Sequence, residues 1–275
     1  MERFELNYKR DFDVSLNWDT LLVCNQKCYY CYARPSHLWG KIQPKEITNK
    51  VIDTLRDSDL SFKVCLLGGE PTLHPRIAEI IRKLDALENV RYIELFTNTR
   101  KLLSKVLKGF RSDKLTVNLS FHITENPPLD VLDDNIRYCR DNNLKFNIFL
   151  MIPQEEKYIY SLKEIYQKYK ENVKVNYITT DDVTSAKVHF ENEKEDTFLI
   201  DDKVISASEV LNKGLHDFKG MYCDRSDYTI NVDGSIDNMC ISQVGNITHF
   251  TFKKNTVICD RDCGNACWME TKKWR

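Results

Sequence analysis

The sequence predicts an α/β fold built on a parallel sheet, and three observations carry that prediction. Apolar strand-like runs alternate with amphipathic helical patterns from residue 13 to about residue 180. The connections between them are short, as in a chain of βα units. The 275 residues are 42% apolar and 11% aromatic, enough for one large core.

Each element follows in order. "VSLNWDTLLV" (14–23) reads as a strand. "PKEITNKVIDTLRDS" (44–58) spaces Ile47, Val51, Ile52 and Leu55 as one helical face, with Pro44 at its start. "FKVCLLGG" (62–69) is a buried strand ending in glycines, and "HPRIAEIIRKLDAL" (74–87) a helix with Pro75 in its first turn. "VRYIELFTN" (90–98), "KLTVNLSFH" (114–122), "LKFNIFLMI" (144–152) and "VKVNYITT" (173–180) read as further strands. Between them lie helical patterns at 100–110, 129–143 and 161–172. This gives six βα-type units, too few for a closed eight-fold barrel. An open, partial barrel and a flat doubly wound sheet both fit. In either, the functional face lies where strands end and helices begin.

From about residue 181 the pattern changes. We divide the chain into a barrel at 1–180, a charged linker with short strands and a helix at 181–220, and a small cysteine-rich module at 221–275. In the last, "DYTINVDGSIDNM" (227–239) sets Asp233-Gly234 between two alternating runs, a strong hairpin signal.

Forty basic residues nearly balance 41 acidic ones, for a net charge of −1. That excludes the footprint of a bulk nucleic-acid or anionic-membrane binder. No run of 18 apolar residues spans a membrane, and "MERFELNYKRDFD" lacks a secretory h-region. The expected location is cytoplasmic. There, clustered cysteines read as metal or redox ligands.

Three of the ten cysteines, Cys24, Cys28 and Cys31, fall within "VCNQKCYYCYA" (23–33), directly after the first strand. Three thiolates are one fewer than a closed cubane set, so an iron–sulfur cluster here would keep one iron open. A zinc site completed by His37 also fits the spacing, as does a buried helix face. "LLGGEPTLHP" (66–75) follows the second strand. Gly68 and Gly69 allow a close backbone approach to a ligand, and Glu70 offers a carboxylate to a cationic amino group. A plain strand-end turn fits the same residues. Cys65 and Cys139 stand alone and read as packed core thiols.

"CNQKCYYC" resembles the Cys-x3-Cys-x-aromatic-Cys signature of the radical S-adenosylmethionine (radical SAM) superfamily, with Tyr30 in the aromatic place. Gly68-Gly69-Glu70-Pro71 resembles the same family's second-strand element. "LFTNT" (95–99) is similar to its third-strand Thr-Asn-Gly, with Thr99 in place of glycine. The resemblance implies a partial (βα)6 TIM-like barrel. It also implies a [4Fe-4S] cluster on Cys24, Cys28 and Cys31, and S-adenosyl-L-methionine held partly by Tyr30, Gly68, Gly69, Glu70 and Pro71. Ser120, at the polar end of the fourth strand, takes the place of a family residue contacting the cofactor. His122 faces substrate or is a structural histidine. Asn147 alternates with Phe146 and Ile148, so it points into the barrel and is carried as a cofactor contact.

Five more cysteines, Cys223, Cys240, Cys259, Cys263 and Cys267, crowd the last 55 residues. A piece that small needs a staple, and a metal centre supplies one. Structural zinc also fits. "CDRSDYTINVDGSIDNMC" resembles the opening of the SPASM and twitch auxiliary-cluster modules of the same superfamily, one residue off their glycine-to-cysteine spacing. The resemblance implies a second, auxiliary [4Fe-4S] cluster on Cys223 and Cys240 with two of Cys259, Cys263 and Cys267. Cys263 and Cys267 are the preferred pair.

The function this implies is an oxidoreductase or maturase-type enzyme. It would cleave S-adenosylmethionine reductively and abstract hydrogen from a peptide or small-molecule substrate, with a reductant such as flavodoxin or ferredoxin. Nucleotide or cofactor biosynthesis is the alternative within the class. A zinc-binding interaction protein and an iron–sulfur electron carrier are the alternatives outside it. About 13 residues precede the first strand, so a peptide substrate is expected to need a separate recognition partner.

Overall fold

The computed structural model describes residues 4–6, 11–31, 33–152, 159–169, 172–177, 197–200, 203–206, 222–224, 226–238, 241–254 and 256–258. A short strand, β1 (Phe4–Leu6), is followed by six strands in the order the sequence predicts: β2 (Val14–Leu21), β3 (Phe62–Gly68), β4 (Val90–Thr97), β5 (Leu115–His122), β6 (Lys145–Ile152) and β7 (Val173–Tyr177). They pair in parallel, each with its sequence neighbour. Helices α1 (Lys45–Arg56), α2 (Ile77–Asp85), α3 (Leu103–Leu107), α4 (Leu129–Asp141) and α5 (Ile159–Tyr169) alternate with them. The sheet is not closed.

Strand periodicity divides the side chains. Leu16 and Trp18, Val64 and Leu66, Ile93 and Leu95, Val117 and Leu119, and Ile148 and Leu150 all enter one core. Val51, Ile52 and Leu55 of α1, Ile80, Ile81 and Leu84 of α2, and Leu132 and Ile136 of α4 pack into the same core. The alternate positions, on the opposite face, carry the polar residues Asn17 and Asp19, Lys63, Glu94, Asn118, Ser120 and His122, and Asn147, among apolar ones such as Phe96 and Phe149. Cys139 is fully buried in the core. Cys65 is buried too, with its thiol 3.8 Å from Glu94 Oε2.

Two helices depart from the expected bounds. α2 starts at Ile77 rather than 74, because Pro71–Leu73 form a 3-10 turn first. α3 has five residues in place of the expected 100–110. Left-handed backbone at Thr99 (φ 62°) precedes it, and Lys108 (φ 50°) and Gly109 (φ 75°) end it.

The hairpin is β11 (Asp227–Ile230) and β12 (Ser235–Asn238), and Gly234 turns at φ 84°. With β13 (Ile241–Asn246) it extends the main sheet: β11 pairs in parallel with β2, Tyr228 opposite Leu16. Tyr228, Ile230 and Ile236 belong to the same core as the helices. Separate small sheets join β1 to β8 (Thr197–Ile200) and β9 (Lys203–Ser206), and β10 (Tyr222–Asp224) to β14 (Thr256–Ile258). Of the linker, β8 and β9 are described; residues 207–220, where most of its expected helix falls, lie outside the described residues. No helix among them is long and apolar enough to cross a membrane.

Candidate functional site

The three-cysteine loop leaves the end of β2, and the end of β3 lies against it. Gly69 N–H donates to the Leu21 carbonyl at 2.9 Å and Glu70 N–H to the Val23 carbonyl at 2.8 Å. A Cβ at Gly68, where φ is 124°, would stand 2.0 Å from the Leu21 oxygen, and one at Gly69 2.3 Å from the Val23 oxygen. The glycines are thus demanded by the backbone that leads into Cys24, a partner the sequence reading did not name.

Glu70 is 1% exposed and points into the protein. Its Oε1 accepts from Thr72 N–H (3.0 Å), Thr72 Oγ1 (2.5 Å) and Thr97 Oγ1 (2.7 Å), and its Oε2 from Asn98 N–H (2.6 Å). Burial pushes its carboxyl pKa up, and these donors pull it back. The carboxylate ties the ends of β3 and β4 together. Pro71, buried, opens the 3-10 turn that Glu70 caps. The Asn98 side chain then reaches across: its Nδ2 donates to Asn25 Oδ1 at 2.7 Å and lies 3.6 Å from Cys24 Sγ. Sequence reading quoted Asn98 within "LFTNT" without giving it a role. Its place one residue beyond a strand end was the available signal.

Cys28 is the most enclosed of the three thiols. Its Sγ lies 3.7 Å from both Gln26 Oε1 and His122 Nδ1. Burial, with the charge of Glu125 second, pushes this thiol up to about 12. Burial also raises Cys24. Tyr30 hydroxyl stands 2.9 Å from His122 Nδ1 and 3.4 Å from Thr124 Oγ1. Lys27 N–H donates to Glu125 Oε2 at 2.8 Å, so the residues just after β5 anchor the loop as well. Burial brings His122 down to about 4.

Ser120 shares the polar face of β5 with His122. Asn147 does not join this group. Its Nδ2 donates to Asn118 Oδ1 at 2.8 Å, Asn118 Nδ2 donates to Glu94 Oε2 at 3.2 Å, and Glu94 Oε1 pairs with Lys63 at 3.1 Å. Asn147 pairs with Asn118 and Met151 with His122, so this ladder crosses the sheet four residues below His122, roughly 13 Å down the strand.

An iron–sulfur centre fits the loop. Gln26 sits against two of the thiols: its backbone N–H lies 3.4 Å from Cys24 Sγ and its Oε1 3.7 Å from Cys28 Sγ. Gln26, 4% exposed and set between Cys24 and Cys28, has a buried Nε2 with no acceptor among the described residues. A soft three-thiol set with N–H donors beside it suits cluster sulfur. No three His, Cys, Asp or Glu side chains among the described residues converge on a single-ion position. His37, the suggested fourth zinc ligand, is exposed. Of the cysteines expected to hold an auxiliary cluster, Cys223 lies in β10 opposite Val257. Cys240, Cys259, Cys263 and Cys267 lie outside the described residues.

Comparisons with known proteins show what the chain is similar to. A curated S-adenosylmethionine-dependent nucleotide dehydratase of Flammeovirga pacifica is 33% identical over 78 residues, 26% of this chain and 27% of that protein. A GTP 3',8-cyclase of Mannheimia succiniciproducens is 29% identical over 131 residues, 46% of this chain and 35% of that one. The match thus spans about a quarter to a third of these relatives. A solved structure, native anSMEcpe with bound AdoMet and Cp18Cys peptide, shares the fold at TM-score 0.58 and 17% identity, over 86% of this chain and 78% of that one. The family model described as "Radical SAM superfamily" matches residues 20–165. It takes in the cysteine loop, the Gly-Gly-Glu-Pro turn and the strand ends that hold them, and the chain belongs to the radical SAM superfamily.

Proposed function

We propose that this enzyme holds a [4Fe-4S] cluster on Cys24, Cys28 and Cys31 and cleaves S-adenosylmethionine to act on a peptide or small-molecule substrate. The observation that carries this is the convergence of four strand ends on one three-cysteine loop. When bound, the cluster and S-adenosylmethionine supply an electron and a carbon-centred radical that removes hydrogen from substrate. The chain's own residues hold and orient. Gly68, Gly69 and Glu70 fix the backbone entering Cys24, and Asn98 steadies Cys24 itself. The enclosure of Cys28 keeps water from its sulfur. Ser120, Tyr30 and Pro71 remain the side chains assigned to the cofactor's surroundings, and the polar ladder ending at Asn147 lines the face below.

A second [4Fe-4S] cluster is assigned to Cys223, Cys240 and two of Cys259, Cys263 and Cys267. In support, the pairing of β10 with β14 sets Cys223 opposite Val257, two positions before Cys259 in sequence. The peptide reading is supported by the shared fold of anSMEcpe, which was solved with a peptide. Nucleotide chemistry is the second reading, supported by the GTP 3',8-cyclase and nucleotide dehydratase relatives.

Anaerobic reconstitution followed by iron and sulfide analysis tests the assignment. About eight irons per chain are expected, four per cubane, and about four after Cys223→Ala. Reduced protein should form 5'-deoxyadenosine, and Cys24→Ala, Cys28→Ala and Cys31→Ala should each abolish it. Retained cleavage in any of the three, or a colourless protein with stoichiometric zinc, would overturn the reading.

A further inference from the structure

The chain is nearly neutral, at a net charge of −1, but its charge is not spread evenly. A groove of about 420 Å³ is lined by the turn after β3, by α2 and by α3. Five cations line it. Arg76 and Arg82 stand at the start and in the last turn of α2; Lys101 lies just before α3, Lys105 within it and Lys108 at its end. Glu79 is the one acid in the lining, and Lys83 already pairs with it at 2.8 Å. The ion pairs among the described residues involve none of the five cations. Arg82 and the three lysines are exposed. These charges do not converge on one point: Arg76 and Arg82 alone are roughly 9 Å apart along the helix. Such a surface is complementary to an extended acidic face rather than to a single small anion.

The groove also connects to the three-cysteine loop. Thr72, part of its lining, donates from Oγ1 to Glu70 Oε1 at 2.5 Å. Glu70 Oε2 accepts from Asn98 N–H at 2.6 Å, and Asn98 Nδ2 lies 3.6 Å from Cys24 Sγ. A hydrogen-bonded run thus leads from the cationic surface to the first thiol.

We propose that the groove between α2 and α3 is the docking surface for a small acidic electron-transfer protein, which reduces the cluster held by Cys24, Cys28 and Cys31 along the run through Thr72, Glu70 and Asn98. The proposal rests on the proposed function, in which reductive cleavage of S-adenosylmethionine consumes one electron. The docked donor loses that electron and the cluster gains it; no bond forms or breaks between the two proteins. The cations steer the donor to this face, so they act on encounter and affinity and leave the later chemistry alone.

The experiment uses the full-length reconstituted protein with reduced flavodoxin as the probe. Lys101→Glu combined with Lys105→Glu reverses two exposed charges of the groove. Lys163→Glu combined with Lys253→Glu reverses two exposed lysines elsewhere and serves as the control. The readouts are iron per chain, flavodoxin affinity by calorimetry, and the rate of 5'-deoxyadenosine formation with limiting flavodoxin or with dithionite. In the groove variant, affinity and the flavodoxin-driven rate should each fall about tenfold at low salt, and the gap should close as salt screens the charges. Its iron content and dithionite-driven rate should stay at the wild-type level, and the control should match wild type throughout. Unchanged affinity in the groove variant, an equal loss in the control, or a wild type that flavodoxin neither binds nor reduces would each overturn the proposal. So would loss of the dithionite-driven rate in the groove variant, which would assign the groove to substrate or fold. If wild-type protein forms no 5'-deoxyadenosine with dithionite, the functional reading itself fails, and that arm alone decides it.

Discussion

At the scale of the residue, Thr99 shows how much the site asks of single positions. It is fully buried, sits at φ 62° and has an Oγ1 with no partner among the described residues. A β-branched side chain in the left-handed region costs about 1–2 kcal/mol. An unsatisfied buried hydroxyl adds to that. Glycine would remove both at an unfolded-state entropy cost of about 0.5–1 kcal/mol. Thr99→Gly should therefore stabilise the protein by about 1 kcal/mol in urea denaturation. A loss of stability would mean that the Thr99 methyl packing outweighs the strain. The family resemblance implied a glycine at this place in "LFTNT"; the backbone angle that explains it was not legible in the sequence. Glu70 teaches the same lesson in reverse. Its position was legible, but which way its carboxylate turns was decided by Thr72, Thr97 and Asn98.

Among the elements, the hairpin changes the picture most. Asp233-Gly234 announced it, yet nothing local to 227–239 says that β11 will lie beside β2, over two hundred residues earlier. Tyr228 secures it there. Its ring contacts Phe250 and Phe252 at 5.5 and 5.4 Å, and its hydroxyl donates to the Lys253 carbonyl at 3.0 Å. Removing a buried aromatic ring of this kind costs about 3–5 kcal/mol. Tyr228→Ala should lower stability by about that amount. Because β2 leads directly into Cys24, it should also reduce iron loading at the three-cysteine loop. A fall below about 1 kcal/mol in denaturation would show that the hairpin is not part of the same cooperative unit.

For the whole molecule, near-neutral net charge hides opposing carboxylates. Burial, with Asp237 nearby, pushes Asp19 from the ordinary 3.8 up to about 6. Its folded form keeps a proton that the unfolded chain releases, so its contribution to stability falls as pH rises from about 4 to about 6. Asp13 runs the other way: hydrogen bonds from Ser61 N–H and Oγ hold its carboxyl low, and the stability it brings is lost as pH falls below the ordinary value. Asp19→Asn should flatten the decline between about pH 4 and 6 and raise stability at pH 7 by about 2 kcal/mol. Equilibrium denaturation across that range checks it. An unchanged difference between variant and wild type at pH 4 and pH 7 would refute the assignment.

The sequence by itself determined the alternation of strands and helices, the three-cysteine loop, the Gly-Gly-Glu-Pro turn and the hairpin. All of these are written in periodicity or spacing over a few residues, where side chains and backbone meet their neighbours directly. Tertiary structure alone decided that Gly68 and Gly69 yield to the β2 backbone, that Glu70 closes inward on β4, and that His122 meets Tyr30 beside Cys28. Those contacts join residues about 30 to 90 positions apart. They depend on how strands of a twisted sheet bring their ends together, which no local pattern encodes.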